Sequence, residues 1–89
     1  MKKIMRTFNY YSDPSHGWLK VKKDLLIKLG ISNQISTYSY QRGEWAYLEE
    51  DCDFSKLVDA LALADIPCRI IHKHTNKSSK IRSYESYRF

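Results

Sequence analysis

The chain is poor in the features that announce the commoner chemistries. Its three glycines, Gly17, Gly30 and Gly43, are scattered, so no glycine-rich loop is present to cradle a phosphate with backbone amides. The two cysteines, Cys52 and Cys68, lack the CxxC spacing of zinc and redox sites, which fits a reduced setting without a structural disulfide. No apolar run approaches the roughly 18–20 residues of a membrane span. Lys2 and Lys3 at the start are not followed by the apolar stretch of a signal peptide. The expectation is a protein that stays in the cytoplasm of the cell that makes it. Eighty-nine residues make one domain, 1–89, which at this size buries roughly 60% of its unfolded surface and leaves little room for a large enclosed cavity. No cofactor is expected.

Charge is unevenly distributed. The formal net charge is +5. Residues 1–28 carry seven Lys/Arg against two acids, residues 42–65 two against seven, and residues 66–89 six against one. Basic ends enclose an acidic middle. Either the blocks neutralise one another across neighbouring elements, or the molecule is bipolar with one face suited to phosphates.

Hydropathy patterning predicts an α+β fold, a small antiparallel sheet with two helices in the order ββα-ββα-β(β). Residues 3–11 alternate as a strand covered on both faces, and 12–17, with Pro14 and Gly17, form a turn-rich loop. Trp18–Val21 reads as a short strand and 22–29 as a short helix, with Gly30 as its left-handed C-cap. The stretch 35–53 reads as a hairpin turning at Arg42-Gly43. That register opposes Tyr40 to Trp45 and Tyr38 to Tyr47, four rings on one face, expected to pack on the next helix. This helix, 54–65, opens at Asp53 as N-cap and buries Phe54, Leu57, Val58, Leu61 and Ala64. Residues 68–72 form a β-branched strand, 75–79 a loop and 80–84 a last short strand.

Several residues carry candidate chemistry. His16 with Asp13, beside the carboxylates Glu49, Glu50 and Asp51, has the composition of a small hydrolase site. The competing reading is a loop that satisfies its own backbone, with the His16 imidazole bonded to a carbonyl near Trp18, followed by a solvated strand end whose carboxylates point different ways. His72 and His74 share one strand face, but with no third ligand of clear spacing no metal site is assigned. The acidic run raises the pKa of Cys52, which disfavours a nucleophilic thiol. Aromatics interleaved with cations remain, and they suit single-stranded nucleic acid, whose bases stack on rings while Lys and Arg follow phosphates. The C-terminal set Lys80, Arg82, Tyr84, Tyr87 and Arg88, with Lys2 and Lys3, is the candidate surface.

Asp13-Pro14-Ser15-His16-Gly17-Trp18-Leu19, Tyr38-Ser39-Tyr40, Tyr47 to Asp53, and His74-Thr75-Asn76 with Ser79, Ile81-Arg82 and Tyr84 together resemble a family of small bacteriophage and prophage proteins. Its members read DPGHGWL, YSY, YLEEDCD and HTN-S-IR-Y, and Ser15 stands where that pattern has glycine. The resemblance covers nearly the whole chain and implies origin rather than mechanism. For a phage accessory protein of this size the expectation is action by binding in the host bacterial cytoplasm, in host takeover or against host defence. RNA or single-stranded nucleic acid is the first expected partner. The alternative is a host enzyme or defence factor met by Glu49, Glu50 and Asp51, with salt-sensitive steering. A homodimer and a small hydrolase built on His16 are further readings.

Overall fold

The computed structural model describes residues 5–88. Lys2 and Lys3, assigned above to the candidate surface, lie outside them. The elements are β1 (Arg6–Ser12), β2 (Gly17–Lys22), α1 (Lys23–Lys28), β3 (Tyr40–Arg42), β4 (Trp45–Glu49), α2 (Phe54–Leu63), β5 (Cys68–His74) and β6 (Glu85–Ser86), with 3-10 turns at Ser32–Gln34 and Lys80–Ser83. The fold is therefore α+β, with a six-stranded sheet in the order β5-β1-β2-β4-β3-β6 and two helices. The expected order is followed only roughly, since Lys80–Ser83, expected as strand, is a 3-10 turn and the last strand is the two residues after it.

The sheet is mixed, which corrects the antiparallel expectation. β1 runs parallel to β5, pairing Arg6 with Cys68 through Ser12 with His74, while the other contacts are antiparallel. The cause is α2. It carries the chain from β4 across two strands to the far edge, so β5 enters in the direction of β4 and hence of β1.

The hairpin register also differs. Tyr40 pairs with Tyr47 and Arg42 with Trp45, so the two-residue loop is Gly43-Glu44 and not Arg42-Gly43. Gly43 has φ +58 and takes the first loop position, where a type II′ turn wants glycine. Tyr38 consequently falls outside the strand and is 70% exposed.

Alternation along the strands then sorts the side chains. Phe8, Leu19, Val21, Ala46 and Leu48 face the helices and form the main core with Leu25, Leu26, Leu57 and Leu61. Trp18 and Tyr47 face the opposite way and, with Tyr40 and Trp45 against them, make a second cluster under Ile81 and Tyr84. The hairpin aromatics thus lie on the side of the sheet away from α2, contrary to the expected packing, and the C-terminal segment supplies their cover. Tyr87 goes further, wrapping to the helix side, where its hydroxyl donates to the Ser32 carbonyl at 2.9 Å.

The helix ends follow local rules. Gly30, at φ +74, closes α1, with the Gly30 and Ile31 amides donating to the carbonyls of Ile27 and Leu26. α2 ends two residues before the expected position because Asp65 takes the left-handed conformation at φ +57 and the Ile66 amide turns back to the Leu61 carbonyl. A non-glycine residue there carries a Cβ penalty that glycine avoids. Asp65→Gly is therefore expected to stabilise the protein by roughly 0.5–1 kcal/mol, and Asp65→Val to destabilise it. Thermal unfolding of the two variants checks this. Midpoints that move together would place the strain elsewhere.

Candidate functional site

Two regions outside the core gather chemistry, a cavity at one end of the sheet and the uncovered part of its outer face. The cavity, about 210 Å³, is lined by His16, Trp18, Tyr38, Tyr40, Glu49, Asp51, Cys52 and Arg82. Asp13 fixes its rim. The Asp13 side chain accepts from the Ser15 and His16 amides, both at 3.0 Å, from the Ser79 amide at 3.0 Å, and from Arg82 at 2.6 and 2.9 Å. This corrects the pairing of Asp13 with His16. The carboxylate serves Arg82 and three backbone amides, and the Arg82 guanidinium first among them holds its pKa well below the usual range.

The His16 imidazole does not bond a carbonyl near Trp18. The loop is tied by its backbone, with the Asp13 amide donating to the His16 carbonyl at 2.9 Å, and the ring stands 46% exposed at the cavity mouth. His16 Nδ1 is 3.8 Å from Glu49 Oε1 and 4.0 Å from Glu50 Oε1. Both distances exceed hydrogen-bond length, so neither carboxylate orients the ring as a catalytic triad partner would.

The acidic run converges more than its strand parity suggests, because β4 ends at Glu49 and the chain turns into α2. Glu49, 9% exposed, bends inward and accepts from the Asp51 and Cys52 amides, both at 2.8 Å. Glu50 is held by the Tyr10 hydroxyl at 2.6 Å. Burial, and then Glu50, push the Tyr10 phenol pKa upward. Of the three acids assigned to a protein partner, only Glu50 and Asp51 remain exposed. The Cys52 thiol is pushed up by burial and by Glu49.

Asp53 does not cap α2 with its side chain. It turns back to bind the 36–39 segment, accepting from the Ser36 amide and hydroxyl, the Ser39 hydroxyl and Lys56. Burial opposes ionisation, but these donors outweigh it and the pKa is lowered. His72 lies against Tyr10, while His74 bonds Ser12 and Asn76 at 2.8 and 3.2 Å, so the two histidines do not face one site.

Of the C-terminal surface read from the sequence, Tyr87 is buried and most of the others have partners within the chain. Tyr87 is 2% exposed, Arg82 is committed to Asp13, Tyr84 packs tilted against Tyr47 with centroids 5.1 Å apart, and Arg88 pairs with Glu85 at 3.0 Å. Lys80 alone of this set is exposed with no ion pair among the described residues. Ile81 and Tyr84 of this segment cover part of the sheet face, while the side chains of Arg82 and Arg88 stay 35% and 71% exposed.

The uncovered half is the feature that sequence reasoning missed. Pairing and alternation place Arg69, Ile71 and Lys73 of β5, Thr7 and Asn9 of β1, Lys20 and Lys22 of β2, Trp45 of β4 and Arg42 of β3 on this face. Lys20 Nζ lies 4.3 Å and Lys22 Nζ 5.3 Å from the Trp45 ring centroid, and Lys22 also pairs with Glu44 at 2.7 Å. Beside them opens a groove of about 470 Å³ whose walls include Arg6, Lys20, Lys22, Lys28, Asp24 and Trp45. Its signal was available in the alternating cations Arg69-x-Ile71-x-Lys73 and Lys20-x-Lys22.

No helix among the described residues is long and apolar enough to cross a membrane. Compared with models of protein families, with curated proteins and with solved structures, the chain matches none.

Asp13 and Asp53 both have lowered pKa values, whereas an unfolded chain returns them to about 3.9. Their stabilisation is therefore complete above that value and is lost as pH falls below it, when the unfolded chain takes up protons that the folded state refuses. Urea unfolding at neutral and acid pH is expected to show this loss, and Asp13→Asn to lower stability at neutral pH while flattening the acid limb. A variant as acid-sensitive as the wild type would assign the effect to other groups.

Proposed function

We propose that the protein is a binding module for single-stranded nucleic acid, RNA first, acting through the uncovered half of its sheet. One observation carries this reading. A half-buried tryptophan, Trp45, sits among Lys20, Lys22 and Arg42 on an open β-surface that continues to Arg69 and Lys73. Sheet faces of this composition bind unpaired bases by stacking while cations track the phosphates. Lys20 and Lys22 rest over the Trp45 ring, and a stacking base displaces them towards its own phosphates. The adjoining groove, with Arg6 and Lys28 on its walls, continues the track. The phage resemblance supplies the setting, an accessory protein at work in the host cytoplasm. The alternative of a protein partner for the acidic run is less favoured, because Glu49 is turned inward and only Glu50 and Asp51 remain as a patch.

Titration of labelled oligouridine by fluorescence anisotropy tests the reading. Affinity is expected to fall linearly on a log–log salt plot, by roughly 0.7 per phosphate neutralised, and Trp45→Ala to lose about 1–3 kcal/mol of binding. Lys20→Gln and Arg69→Gln should reduce the salt slope, whereas Lys80→Gln and Arg88→Gln, on the C-terminal cover, should not. Undetectable binding at low ionic strength would reject nucleic acid in favour of a protein partner.

A further inference from the structure

We infer that His16, Glu49, Glu50 and Asp51 form a binding site for one divalent cation of the first transition row. Each offers a ligand atom, and these atoms all lie within 4.8 Å of one another. Ligands held about 2.1 Å from a tetrahedral metal are about 3.4 Å apart. The His16–Glu49 and His16–Glu50 separations of 3.8 and 4.0 Å need only about half an ångström of closure to reach that value. Both are too long for hydrogen bonds, so the imidazole nitrogen and the two glutamate oxygens face one another without a direct bond.

The carboxylates are arranged for the task. Glu49 spends Oε2 on the Asp51 and Cys52 amides, and Glu50 spends Oε2 on the Tyr10 hydroxyl. Each leaves Oε1 directed at His16 Nδ1, the pattern in which outer partners orient metal ligands. Gly17 makes the Tyr10 contact possible, since a Cβ there would stand 1.9 Å from the Tyr10 hydroxyl. His16 and Glu50 are partly exposed, at 46% and 35% of their side chains, which opens an entry path for the ion.

A second observation, independent of the ligand set, points to the same cavity. Trp18, 2% exposed, lines it beside His16, Glu49 and Asp51, and its indole N–H is the one buried side-chain polar atom among the described residues without a hydrogen-bond partner. An orphaned donor calls for an acceptor. A water or small anion completing the coordination shell of the cation supplies one. One imidazole nitrogen with three carboxylate oxygens suits Mn²⁺ to Zn²⁺ better than Mg²⁺ or Ca²⁺, which favour oxygen alone. The site lies at the end of the sheet opposite Trp45 and stands independently of the nucleic-acid reading.

Mn²⁺ added to the isotope-labelled full chain is the test. Paramagnetic broadening is expected to centre on the amides of His16 and of residues 49–52 and on the Trp18 indole N–H. Calorimetry with Mn²⁺ and with Zn²⁺ should give one site per chain, and His16→Ala and Glu50→Gln should each weaken it by about tenfold or more with the rest of the amide spectrum unchanged. Tyr10→Phe, which frees Glu50 without removing a ligand, should weaken it by a smaller factor. Broadening spread over unrelated acids such as Asp59 and Asp65, no saturable binding, or affinity untouched in both ligand variants would overturn the assignment.

Discussion

The structure turns on the carboxylate of Asp13. Five hydrogen bonds from two distant parts of the chain end on it, two of them the parallel bonds of an Arg82 fork, the strongest geometry available to an ion pair. A carboxylate this buried is costly to desolvate, and only a full complement of donors makes its burial tolerable. By holding the Ser79 amide and Arg82, Asp13 lays the segment 79–84 across the sheet, seats Ile81 on Trp18 and Tyr47, and brings the Arg82 guanidinium to 5.3 Å from the Trp18 ring centroid. By holding the Ser15 and His16 amides it sets where the His16 ring stands. The cover and the cavity therefore share one anchor.

That cover divides the outer face of the sheet into regions of different character. Where 79–84 lies, the face is aromatic and closed. Beyond its reach, the side chains are cationic around a single half-buried indole. At the end nearest His16 the carboxylates collect. The opposite charge blocks of the chain thus do not simply neutralise one another. Some ion pairs do join the blocks, as Lys22 with Glu44 and Arg82 with Asp13, but among the described residues the β5 cations Arg69 and Lys73 form no ion pair with the acids after β4.

Elements governed by short-range rules were legible in the sequence. The periodicity of Leu57 and Leu61, the cap at Gly30 and the β-branched run of β5 each follow from neighbours a few residues away. The hairpin was legible as a hairpin but not in register, because Gly43 fits either position of a two-residue loop and only the twist of the neighbouring strands selects one. The Asp13–Arg82 pair spans 69 positions, and nothing local distinguishes it from a loop aspartate and a surface arginine. Tyr87 was misplaced for the same reason, since a terminal aromatic reads as surface until a distant Ser32 is known to meet it. The convergence of Glu49, Glu50 and Asp51 was hidden by treating them as strand residues, when the strand stops at the first of them and the turn redirects the rest. The cations of β5 and β2 alternate plainly in the sequence, but that they share one face follows only from the pairing of β1 with both strands, which no local pattern carries.

The parallel pairing of β1 with β5 has a consequence for how the chain acquires its structure. β1 joins β2, and β3 joins β4, as hairpins, but the β1–β5 contacts close a separation of 62 residues, an entropic cost that slows the pairing relative to hairpins. During synthesis β1 emerges first and meets its outer partner only after α2 has been made. For that interval its outer edge is an unpaired strand carrying Phe8 and Tyr10, open to pairing with other chains. The cations Arg69 and Lys73, which finally stand on β5 as the exposed edge, discourage that association once the sheet is complete. The nascent β1 lacks that protection, which makes the interval before β5 joins the sheet the time of greatest risk of misassembly for this fold.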